Sequence, residues 1–144
     1  MRAPTFRELI DAVASLSPDM TKADGDVNLA AVARYCANMG HPVSQPTLYR
    51  HYHKSAHSES KLDDETVNAL NHALGIPKVL LRGEPMDADT KEALTRFPLS
   101  TYLLAQKIQT LSPTVRESLL QHIDKLLQDE TNRKLRALGD KNIK

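Results

Sequence analysis

Acidic side chains are missing from one long stretch of this 144-residue chain: none lies between Asp26 and Glu59. With 18 Asp and Glu in the whole sequence, a window of that length holds about four at the average density. Cysteine is nearly absent too. Cys36 stands alone, which excludes an internal disulfide framework and a thiolate zinc cluster and fits a reducing, cytoplasmic setting. There is no Trp, and with only two Phe and four Tyr the core must rest on Leu, Ile, Val and Ala. The scarcity of glycine and of apolar–polar alternation argues against an all-β fold. No apolar run is long enough to cross a bilayer, and Met1-Arg2-Ala3-Pro4 lacks the hydrophobic core of a signal peptide, so no membrane association is expected. A phosphate-cradling glycine loop and a nucleophile elbow are both lacking, which predicts a protein that is not an enzyme and carries no cofactor.

What remains is the composition of an ordinary globular protein, 40% apolar and 26% charged, with room for one domain and an appendage or for two small domains. The net charge of +1 excludes a uniformly basic coat for nucleic acid, so any contact with phosphates must come from local clustering. Such clustering occurs inside the acid-free window. It keeps Arg34, Arg50 and Lys54, together with His41, His51, His53 and His57. A surface free of carboxylates suits an approach to phosphates.

The chain reads as all-α. Thr5-Phe6-Arg7-Glu8 is a capping box, followed by an apolar face of Phe6, Leu9, Ile10, Val13 and Leu16 that Ser17-Pro18 ends. Asp19 to Asp26 reads as a polar loop. Leu29, Val32, Ala33 and Cys36 share one side of a second helix. A third opens on Ser44 and buries Val43 and Leu48, with Tyr52 at its exit. Lys54 to Ser60 has no apolar residue larger than Ala56 and reads as an exposed loop. Asp63 caps a fourth helix, with Leu62 and Val67 as its hydrophobic staple; Gly75 ends it, and Pro77 starts a short apolar helix running to Gly83.

Further along, Glu84 to Asp89 is the expected linker. Asp89 with Glu92 is expected to cap a brief helix to Phe97, Ser100 the next helix, and Ser112-Pro113 a longer one. Beyond Asp129 the apolar pattern fades into a polar tail. The expected division is therefore 1–84, a linker with a short helix over 85–97, and a helical region over 98–144.

The run Val43-Ser44-Gln45-Pro46-Thr47-Leu48-Tyr49-Arg50 resembles the recognition helix of the phage repressor and Cro helix-turn-helix family. Leu62 followed by Val67, then Ala73-Leu74-Gly75-Ile76 and Leu80-Leu81-Arg82-Gly83, is similar to that family's fourth and fifth helices, so the resemblance covers roughly residues 5 to 84. It implies a five-helix domain that reads the major groove of double-stranded DNA with the first turn of the third helix. On these positions Ser44 is the helix cap, its helix end offering amides to a phosphate. Gln45 pairs with adenine and Arg50 with guanine or a phosphate. Pro46, Thr47, Tyr49, His53 and Lys54 complete the expected contact set. Two departures stand out. The turn from Ala37 to Pro42 is longer than the family's, which predicts a second helix running to Gly40. His51 occupies a place usually held by an aliphatic residue, which predicts a half-buried, neutral ring outside the DNA contacts.

Other chemistry is poorly supported. His51 and His53 sit two apart and diverge on a helix, and no nearby carboxylate or second thiol completes a metal site. Cys36 lies on an apolar stripe and reads as a small buried hydrophobe. The carboxy-terminal leucines, with Leu103, Leu104, Ile108, Leu119, Leu120, Ile123 and Leu127 as the face, suit a homodimer or higher homo-oligomer, though not a strict heptad coil. The expectation is a sequence-specific regulator of the prophage-repressor type, binding an inverted-repeat operator as a dimer. The rivals are an antitoxin-like helix-turn-helix protein that holds a protein partner, separable through the last 45 residues, and an RNA-binding adaptor.

Overall fold

The computed structural model describes residues 2–54 and 61–142, with backbone alone for 140–142, and over these residues the chain is all-α. The helices are α1 Phe6–Ser15, α2 Leu29–Asn38, α3 Gln45–Tyr52, α4 Asp64–Leu74, α5 Lys78–Leu81, α6 Ala88–Arg96, α7 Leu99–Gln109 and α8 Pro113–Asn142. The chain divides into two compact units, Met1–Lys107 and Ile108–Lys144. The expected loop from residue 55 to 60, with His57, lies outside the described residues.

Capping fixes the helix starts in the first unit. Thr5 Oγ1 accepts the Glu8 amide at 3.1 Å while the Glu8 carboxylate accepts the Thr5 amide at 3.3 Å, the reciprocal pair its sequence predicts. Asn28 accepts the Ala31 amide at 3.1 Å and Asp63 that of Thr66 at 2.7 Å, opening α2 and α4. These hydrogen bonds from Thr66 hold the Asp63 carboxyl below the usual carboxylate range. With its start fixed, α1 turns Leu9, Ile10, Val13 and Ala14 inward. They meet Leu29, Val32 and Cys36 of α2, Leu48 and Tyr52 of α3, and Val67, Leu70, Ala73 and Leu74 of α4 in one core. α2 packs on α3, α1 on α3, and α2 on α4.

Several expectations need correction. Asp19–Asp26 is not simply a loop: Pro18–Met20 forms a 3₁₀ turn with Met20 buried, and Thr21 bridges to Val27. α2 stops at Asn38 instead of running to Gly40. Gly40 takes φ 84°, its amide donates to the Ala37 carbonyl and that of His41 to the Cys36 carbonyl, which together close the helix end. The start of α6 is capped by Asp87, which accepts the Thr90 amide at 2.7 Å, rather than by Asp89. α7 begins a residue before Ser100, with the Pro98 carbonyl accepting the Tyr102 amide.

The expected domain boundary also shifts. Residues 85–97 hold the expected short helix, α6, and join the first core through buried Met86 and through Leu94, with Leu99 and Tyr102 beyond them packing there too. Leu103 is only 1% exposed there, so its side chain is core and not part of a face open to a second chain. The first compact unit accordingly runs past residue 84 to Lys107.

In the second unit, α8 continues through the expected polar tail to Asn142. The tail carries Leu, Lys and Arg, has no proline, and joins Glu130 to Lys134 at 3.5 Å, which favours helix despite the faded apolar pattern. Arg116 reaches back from its first turns to donate to the Gln109 and Leu111 carbonyls at 3.2 and 3.1 Å. Leu120 and Leu127 of the expected face are exposed and Ile108, Leu119 and Ile123 half-buried; Leu104 is exposed in the first unit.

Gly75 ends α4 at φ 73°, and a Cβ there would lie 2.6 Å from Lys107 Cγ. Gly75→Ala should therefore lower the unfolding free energy by at least about 1–2 kcal/mol, the cost of a left-handed residue with a side chain, as read from urea denaturation.

Candidate nucleic-acid interface

α3 has eight residues, too short to persist alone, so its form depends on docking. Ser44 starts it with extended backbone (φ −68°, ψ 146°), and its Oγ accepts the Thr47 amide at 3.3 Å and lies 2.8 Å from Thr47 Oγ1. Pro46 is tolerated because an amide hydrogen in the first turn has no helical partner. With no N–H on Pro46 and that of Thr47 taken by Ser44, this helix end offers a phosphate fewer amides than its sequence suggested.

The helix turns Leu48, His51 and Tyr52 inward, at 0, 5 and 9% exposure. Gln45, Tyr49 and His53 follow one another at intervals of four along the row beside the inward one, and Pro46 and Arg50 form the next row, which faces away from the core. All five are exposed, as is Ser44; Thr47 and Lys54 are half-buried. The outer rows are stiffened by ring contacts, Tyr49 lying 4.3 Å from His53 between centroids and Tyr52 5.0 Å from His53.

Tyr52 secures α3 to α1. Its hydroxyl donates to Asp11 Oδ1 at 2.6 Å, and the Arg7 guanidinium sits 4.8 Å above its ring. Burial and the bond to Asp11 raise the Tyr52 phenol above its ordinary range. Arg7 and Lys22 also line a cleft of about 270 Å³ together with Gln45, Tyr49 and His53. These two cations were not among the expected site residues. The signal for Arg7 was available, because it falls outside the Leu9–Ile10–Val13 face of α1; nothing in the polar stretch around Lys22 singled that residue out.

The acid-free window in sequence is not wholly acid-free in space. Asp26 lines the same cleft, brought there by the Thr21–Val27 bridge and by the bond from the Lys22 amide to its carbonyl at 2.7 Å. Asp26 thus borders the Gln45 row, while Arg7 and Lys22 supply the balancing positive charge.

Other candidate chemistry does not gather. No group of three or more His, Cys, Asp or Glu among the described residues is placed to hold a metal ion. His41 stacks on His72 of α4 at 4.9 Å between centroids, tying the α2–α3 turn to α4. Cys36 is fully buried, and burial pushes its thiol up to about 11. No helix among the described residues is long and apolar enough to cross a membrane.

Replacing Tyr52 by Phe removes the bond to Asp11 while keeping the ring under Arg7. The variant should lose about 1 kcal/mol in chemical denaturation, with faster amide exchange in α3 than in α4. Compared with protein-family models, curated proteins and solved structures, the chain matches none.

Proposed function

We propose that the protein is a sequence-specific double-stranded DNA-binding regulator of the phage repressor type. In this reading α3 enters the major groove, and two copies joined through the carboxy-terminal helical region bind an inverted-repeat operator. The observation that carries the reading is the division of labour on α3. Its inner residues hold it to the core, and its outer rows present Gln45, Pro46, Tyr49, Arg50 and His53 to solvent with no carboxylate on the helix itself. A helix edge of this composition matches what base edges require, because Gln pairs bidentately with adenine and Arg with guanine. Arg7 and Lys22, which line the same cleft as the Gln45 row, are suitably charged for the phosphates that flank a groove. Ser44 and Thr47 engage each other and so shape the helix start more than they read bases.

The dimer part of the reading rests on α8. Val115, Leu120, Leu126, Leu127, Leu135 and Leu138 are each at least half exposed, an unusual amount of apolar surface for one helix to leave in water. A second copy covering it would place two recognition helices on one duplex, and the symmetry of the pair would be mirrored in the operator.

Two experiments test these parts separately. Selection of bound sites from a random duplex pool should enrich a palindrome, and Gln45→Ala should relax the preference at one base pair per half-site by roughly 1–3 kcal/mol; unchanged discrimination at every position would remove Gln45 from the base contacts. Truncation after Lys107 should give a monomer in sedimentation analysis, with weaker operator affinity. A full-length chain that is monomeric alone but forms a complex with a different protein would favour the partner-holding alternative.

A further inference from the structure

Among the described residues His51 is the one polar or charged side chain that is buried, 5% exposed on the inner side of α3. Its ring meets the edge of Phe6 at 5.9 Å between centroids, and its buried Nδ1 has no hydrogen-bond partner among the described residues. A neutral imidazole tolerates an apolar seat of this kind far better than an imidazolium, which needs partners for both N–H groups. Among the described residues the surroundings offer few. Arg50 on its own helix and Lys54, two residues past the helix end, are cations that disfavour a charge on the ring. α1 contributes Arg7, and the segment before α4 contributes Lys61. The opposing acids are Asp63, committed to capping α4, Asp64, paired with Arg82 at 3.3 Å, and Glu84.

We propose that His51 is an acid-sensitive latch on α3: the neutral ring lets the helix stay seated, and protonation releases it. The release of α3 follows from the packing alone; its consequence for DNA rests on the function proposed above. Burial first, then Arg50 and Lys54, hold the folded ring's proton affinity below that of an exposed imidazole, with Asp63 opposing. The unfolded chain therefore takes up the proton first as pH drops. The stability contributed by the neutral ring is complete above the ordinary value of 6.5 and is lost as pH falls through it toward the lower folded value. An exposed imidazolium acts in the opposite direction, because its charge attracts phosphates.

The test uses the full chain and His51→Leu at pH 7.5 and 5.5. The wild-type Tm should fall by about 5 °C more than that of the variant, with α3 amides exchanging faster in acid than those of α4. Equal losses in the two proteins would overturn the latch. Where His51→Leu does not fold, His51→Gln makes the same comparison. Direct titration of the wild-type ring by NMR needs no variant, and a midpoint at or above 6.5 would also overturn the proposal. Binding to the selected operator should weaken in acid for the wild type and hold or strengthen for the variant. If no duplex binds at any pH while the Tm and exchange differences appear, the DNA reading fails and the latch stands.

Discussion

The seating of α3 depends on three inward side chains, and most of what this protein can present to a partner depends on that seating. Leu48 supplies the apolar contact and Tyr52 the bond to α1, while His51 fills the space against Phe6 without a hydrogen bond for Nδ1. Eight residues give little intrinsic helix stability, so the order of the outer rows derives from tertiary packing. Ser44 and Pro46 set where the helix starts; the core sets whether it exists.

Local chemistry was the most legible level of the sequence. Thr5 with Glu8, Ser44 and Asp63 each announce a helix start by side chains that satisfy open amides, and the structure places those bonds where the pattern put them. Such signals are short-ranged and need no knowledge of the fold. They failed where two candidates competed within a few residues. At α6 both Asp87 and Asp89 were chemically able to cap, and the extended backbone at Asp87 decided between them.

Long-range placement was less legible. The carboxylate gap is a property of order along the chain, and the Thr21–Val27 bridge folds Asp26 back to the cleft beside Gln45 and Tyr49. Leu103 carried the same apolar signal as Leu104, yet one is core and the other open to water, since periodicity in a short helix does not say which neighbour covers which side. The extent of α8 was missed for a related reason: its last turns persist through propensity and ion pairing, which an apolar stripe does not report.

The solitary thiol of Cys36 carries a consequence of its own. It sits on α2 with no solvent exposure, and burial leaves it almost wholly protonated at neutral pH. A soluble disulfide reagent can reach it only during excursions in which α2 parts from its neighbours, and no other sulfhydryl contributes background. The molecule thus contains its own chemical stopwatch, whose modification rate counts how often the scaffold beneath α3 breathes.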